Sequence, residues 1–196
     1  MSGIGKRIDK ALGDLEGGHF DDAAILIFAA IEATAKKRRP KLGNGQRFKS
    51  FVHDQQDIIT AITWNIVNKD FTVRGVSLPE AIWKLARNPL THEAELDRRM
   101  SFDNFDGTRI STGANENDAS WEFPPIFLLG LAIAVVSARE NMHEDVKLRG
   151  WFKFSSTTYV ANSLWGAEEE LRAIYRSSIA GKPRPKLVLL RETERQ

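Results

Sequence analysis

The sequence predicts an all-α bundle of four to five core helices with a small α+β extension at its C-terminal end. Three observations carry this. Apolar residues recur at helical spacing through most of the first 147 positions. Two runs, "AAILIFAAIEATA" (23–35) and "IFLLGLAIAVVSA" (126–138), are each 13 residues long, suited to core helices and short of the roughly 18 to 20 needed to cross a bilayer. From about position 150 the character changes to the aromatic and β-branched "WFKFSSTTYV". The expected division is therefore a helical bundle over 1–148 and an extension over 149–196.

Ile4, Ile8, Leu12 and Leu15 give the first helix, which Gly17 and Gly18 stop. Asp21 or Asp22 caps the second, which runs through the first apolar run to about Lys37 and ends before Pro40. Phe48, Phe51, Val52, Ile58, Ile59, Ile62 and Ile66 predict one third helix with a core-facing stripe. "SLPE" announces the fourth, with Ser77 as N-cap, Pro79 in the first turn and Glu80 placed to close a capping box. After it, "EAELDRRM" is expected to continue helical for two turns. The polar stretch 101–123 reads as a long loop with a short hairpin near Asp106–Gly107 or Gly113–Ala114. A fifth helix is expected from Pro124–Pro125 to Ala138 and on to about Lys147. In the extension, 151–160 reads as strand, 161–179 as a sixth helix, and "GKPRPKLVLLRE" as ending in a short strand.

Composition removes several functions. The chain has 196 residues, 42% hydrophobic and 28% charged, as an ordinary globular protein has. It has no cysteine, which excludes disulfides, thiolate catalysis and cysteine-ligated metals. No His/Asp/Glu group has metal-ligand spacing, so neither a metal nor a cofactor is expected. "LGNGQRFK" (42–49) lacks the spacing of a phosphate-binding glycine loop, and Ser155 to Thr158 lack the context of a nucleophilic serine. No hydrophobic leader opens the chain, so a soluble cytoplasmic protein without membrane contact is expected.

Net charge is only +2, but its distribution is uneven. Lys36, Lys37, Arg38, Arg39, Lys41, Arg47 and Lys49 fall within 14 positions that hold no acid. Two readings stand: a helix end whose cations complement the dipole, or a patch that attracts an RNA backbone. Trp83, Trp121, Trp151 and Trp165 read as core or interface fillers by default, but Trp121 and Phe123, at the exit of the polar loop, could stack an unpaired base.

The chemistry concentrates in "KLARNPLTHEAEL" (84–96). In an unbroken helix Arg87 and His92 would lie about 140° apart. Pro89 is expected to kink or break the helix and turn both toward one spot, with Asn88 beside the break. A guanidinium binds phosphate oxygens bidentately and an imidazole titrates near neutrality. Together they suit attack by a ribose 2′-hydroxyl on its own phosphate, with His92 as general acid or base and Arg87 balancing phosphoryl charge. Glu32 interrupts the apolar second helix and needs a cation; Arg87 and Lys36, one turn on, are both candidates. His19, His53 and His143 read as structural or exposed.

"ARNPLTHEAEL" after a capped amphipathic helix resembles the HEPN superfamily signature, an Arg, often followed by Asn, Asp or His, then four to six residues and a His. "LGDLEGGHFDDAAILIFAAIEATAKK" (12–37) resembles the family's opening, and the likeness in pattern spans roughly 5–147. It implies an all-α, metal-independent endoribonuclease that works as a homodimer, with Arg87 and His92 catalytic and Asn88 accompanying them. It also implies roles as a toxin restrained by an antitoxin, or in defence against phage. Some members have lost catalysis and only bind a protein, nucleotide or RNA; a third expectation is nucleic-acid binding without cleavage.

Overall fold

The computed structural model describes residues 3–73, 75–111, 119–144, 151–154, 157–179 and 189–190. It is mostly helical. α1 (Gly3–Glu16) and α2 (Phe20–Arg38) form an antiparallel pair across the Gly17–Gly18 turn. Gly18 takes φ +77°, the left-handed conformation that lets the chain reverse there. α3 (Asn44–Asp54) packs on α2, and α4 (Gln56–Trp64) packs on the hydrophobic α7 (Ile126–Ser137). Eleven of the twelve α7 residues are buried, as a helix that is apolar on all sides requires. Gly130 lets it approach closely: a Cβ there would lie 3.2 Å from the Ile59 carbonyl oxygen and the Thr63 hydroxyl.

The single third helix expected over 48–66 is two. Its stripe is intact, with Phe48, Phe51, Val52, Ile58, Ile59 and Ile62 in the core, but the chain turns at Gln55 between α3 and α4. Ile66 is exposed, beyond the left-handed cap at Asn65. A short hairpin, β1 (Thr72–Val73) with β2 (Val76–Ser77), then delivers the chain to α5 (Leu78–Ile82). Ser77 caps α5 by accepting the Glu80 N–H at 3.4 Å. The Glu80 carboxylate does not complete the box; it accepts from Lys49 at 2.6 Å instead.

The stretch expected to be a long loop is a small sheet. β3 (Met100–Ser101) pairs in parallel with β5 (Ser120–Glu122), and β4 (Arg109–Ser111) pairs antiparallel with β5 on its other side. Gly107 turns between β3 and β4 with φ +124°; Gly113–Ala114 lies outside the described residues. The inward faces are Met100, Phe102, Trp121 and Phe123, alternating as strands require. Trp121 is 1% exposed and Phe123 0%, each stacked among Phe71, Phe102, Phe127 or Trp64. Neither can stack a base; both are core.

α7 ends at Ser137, because Ala138 leaves the helical region at ψ 127°, and a 3-10 turn (Arg139–Asn141) follows. The rest of the expected extension to Lys147 falls beyond residue 144, outside the described residues. The stretch 151–160, expected as strand, holds two: β6 (Trp151–Phe154) pairs antiparallel with β7 (Thr157–Val160), and β8 (Leu189–Leu190) pairs with β6 on its other edge. The expected sixth helix begins later than 161: a 3-10 turn (Ala161–Leu164) and Gly166 precede α8 (Glu168–Ile179). Leu164, Leu171 and Tyr175 belong to the same apolar core as α4 and α7. Among the described residues, α8 of the C-terminal extension thus shares the core of the bundle.

Candidate functional site

The proline does not break the helix where expected. Trp83–Arg87 is a π-helical turn between α5 and α6 (Asn88–His92), closed by the Asn88 N–H donating to the Trp83 carbonyl. Pro89 has no N–H, so the Leu85 carbonyl would be left without its α-helical donor. It accepts the Asp97 N–H at 3.0 Å. The freed carbonyl thus anchors the returning chain, and "EAELDRRM" turns back rather than continuing helical. Ala94, at φ +61°, is part of that reversal. π-turns of this kind rotate the residues after them relative to those before, and are frequent where side chains must be aimed.

Arg87 is buried, 7% exposed, and bonds with Glu32 through its Nε and Nη2. Of the two partners open to Glu32, the structure selects Arg87 over Lys36. Trp83, one turn earlier, lies under the guanidinium with its ring centroid 4.5 Å from Cζ. The third nitrogen, Nη1, points along α6 to the Asn88 Oδ1 at 3.4 Å. Asn88 and His92 stand one turn apart on α6, hence on one face, and both are exposed. Arg87 is therefore fixed from behind and reaches the surface through Asn88, on the face that carries His92. Thr91 donates to the Arg87 carbonyl at 2.8 Å and ties this turn down further.

Two residues of α3 complete the rear of the site and were not singled out by pattern. Asn44 donates to the Glu32 Oε1 at 3.3 Å and accepts from the Arg47 Nη2 at 2.9 Å. Glu32 thus stands between Arg87 and a second arginine's relay. Gly45 faces the Trp83 indole so closely that a Cβ would sit 3.0 Å from Cζ2. In the sequence, Asn44 and Gly45 read only as a helix stop. Their one visible signal is the need for small residues opposite a tryptophan.

The basic stretch is not a free cationic surface. Arg38 bonds Glu140 and Glu168 at 2.8 and 2.7 Å, Arg39 bonds Asp54 at 2.6 Å, Lys37 meets Glu144 at 3.4 Å and Lys49 meets Glu80 at 2.6 Å. Burial pushes the Glu168 carboxyl up, but Arg38 and Arg172 outweigh it and hold the group below the ordinary range. The Lys49 hydrogen bond, helped by Lys84, does the same for Glu80. Lys36, Lys41 and Arg47 have no ion pair among the described residues; Arg47 connects to Glu32 through Asn44, and Lys36 follows Glu32 by one turn of α2. The other histidines stand apart from the site: His53 lies 3.6 Å from Asp70, and His19 and His143 are exposed. Among the described residues no three His, Asp or Glu side chains could hold a metal together. No described helix is long and apolar enough to cross a membrane.

The comparison that decides kinship covers nearly the whole chain: the Rv1289 family model matches residues 3–190. The chain belongs to the Rv1289 family. No curated protein and no solved structure matches it. The match takes in the Arg87–Glu32 pair, the π-turn and α8 alike, so the Rv1289 family is defined over bundle and C-terminal extension together.

Proposed function

We propose that this chain is a metal-independent endoribonuclease of the HEPN type, with Arg87 and His92 as its catalytic groups. The observation that carries the reading is the fixed guanidinium: Glu32 and Trp83 hold Arg87 so that Nη1 turns to Asn88, on the helical face where His92 is exposed. Fixing a charge before the substrate arrives is how electrostatic catalysis avoids reorganisation during the reaction. His92 takes the proton from a ribose 2′-hydroxyl, the 2′-oxygen bonds to the adjacent phosphorus, and the bond to the 5′-oxygen breaks. The products are a 2′,3′-cyclic phosphate and a 5′-hydroxyl, the leaving oxygen being protonated by a second imidazole. A homodimer supplies that second imidazole. Arg87 and Asn88 hold the phosphoryl oxygens. RNA approaches over Lys36, Lys41 and Arg47, the members of the basic stretch that carry no carboxylate partner among the described residues. On this reading the protein works in the cytoplasm, restrained by an antitoxin or deployed against phage.

The test is RNA incubated with purified protein in EDTA. Cutting is expected from wild type and is expected to vanish in His92→Ala and Arg87→Ala. A second reading has its own observation, the near-complete enclosure of Arg87 by Glu32. It is a helical module that binds a protein, nucleotide or RNA through the same face without cutting. It predicts intact RNA from every variant, with His92→Ala altering binding alone.

A further inference from the structure

Between the start of α2 and the segments 94–96 and 100–103 lies a groove of about 650 Å³. Half-buried Phe20 and Leu96 supply its apolar surface, over the buried Met100 and Phe102, and His19 and Ser101 are among its polar lining. At its edge Phe105 is 76% exposed and packs edge-on against Phe20, ring centroids 5.7 Å apart. No other large apolar side chain among the described residues stands out of the surface as far. With Phe20 beside it, Phe105 forms a contiguous aromatic patch on the groove's edge rather than a lone exposed apolar side chain.

The rim is acidic. Asp21 and Asp22 line one wall, Glu95 and Asp103 the other, and none has an ion pair among the described residues. The first turn of α2 accounts for Asp21 and Asp22, since carboxylates there complement the helix dipole. It does not account for Glu95 and Asp103, which come from other segments. Burial pushes the Asp21 carboxyl up, and the charges of Asp103 and Asp22 push it further. Asp21, Asp22 and Asp103 therefore crowd one another, with Glu95 also on the rim; Lys10, bonded to Asp14, feels the charge of Asp22 but forms no ion pair with it.

We infer that this groove docks a basic amphipathic segment of another protein, with a bulky apolar side chain seated beside Phe20 and Phe105 and lysine or arginine meeting the four carboxylates. RNA is disfavoured by like charge. A second copy of this chain is disfavoured because most of its densest basic stretch is already bound: Lys37, Arg38, Arg39 and Lys49 are in ion pairs. The inference stands apart from cleavage and holds for a catalytic or an idle protein.

The experiment measures binding of a labelled lysine–leucine amphipathic peptide to the full chain by fluorescence anisotropy, with a glutamate–leucine peptide as counterpart. The lysine peptide is expected to bind and the glutamate peptide not. Phe105→Ala is expected to weaken binding about tenfold, as loss of an aromatic anchor does. Asp21→Asn with Asp103→Asn is expected to weaken it about as much and to flatten its salt dependence. Asp70→Asn with Glu169→Gln removes the same formal charge from exposed sites elsewhere and is expected to stay within about twofold. Equal weakening in that control, or no effect of Phe105→Ala, overturns the proposal. So does photo-crosslinking of the bound peptide to residues away from 18–22 and 94–105, a readout that needs no variant. Sedimentation showing a dimer that the groove variants dissolve, without peptide binding, would assign the groove to a second copy and overturn it too.

Discussion

Two polar clusters hold this bundle together, and they are built in opposite ways. At the base, Arg38 and Arg172 are surrounded by Glu140, Glu168, Asp54 and Asp57, at 2.7 to 3.4 Å. Further donors go to backbone, with the Arg172 Nη2 on the Asp54 carbonyl at 2.9 Å. Burial lowers the Arg172 guanidinium's hold on its proton, but Asp57 and Glu168 more than reverse this and keep it above its ordinary range. At the other cluster, Arg87 has one carboxylate, Glu32, and turns its Nη1 to the exposed amide of Asn88. A saturated network joins elements; a buried charge with a single carboxylate and one nitrogen turned to an exposed amide can still meet a ligand. The difference separates architecture from a candidate for chemistry better than a count of charges does.

Breaking the saturated cluster should cost most. Asp57→Ala leaves Arg172 buried without its main partner, and a loss of about 3 kcal/mol in urea unfolding is expected, with α8 loosened. Glu32→Ala should cost less, about 1 to 2 kcal/mol, because Arg87 can turn outward to Asn88 and water. If the two variants cost the same, the contrast between the clusters is wrong. The acid response sharpens it further. Glu140 and Glu168 have folded-state values held below the ordinary carboxylate range of about 4.3, so their contribution is present above that value. It is lost as pH falls through the depressed values. Thermal melts from about pH 5 downward should therefore fall more steeply in wild type than in Glu168→Gln. His92→Ala should change stability by no more than about 0.5 kcal/mol, since the side chain is exposed. Any larger effect would make His92 structural.

Much of this was legible in the sequence, for reasons that also mark the limits. The stripes of α1, α3 and α4 follow from apolar spacing, and the Ser77 cap from local chemistry. Glu32 could be narrowed to Arg87 or Lys36 because a carboxylate in an apolar helix needs a cation, and only the fold decides between them. The sheet of β3, β4 and β5 was hidden because only Met100, Phe102, Trp121 and Phe123 alternate, within a polar stretch that reads as loop. The π-turn leaves no signal beyond Pro89; it depends on the Asp97 N–H arriving from eight residues later. The basic stretch misled for the plainest reason. Charge along the chain is not charge in space, and the carboxylates that neutralise it come from positions 54, 80, 140, 144 and 168.

The most direct measurement is of the ends left on RNA after incubation with the wild-type protein in EDTA. The account predicts 2′,3′-cyclic phosphate ends, and no cut where a 2′-deoxy nucleotide replaces the reacting ribose. Intact RNA at high enzyme concentration, or cleavage that continues through the 2′-deoxy position, would contradict it.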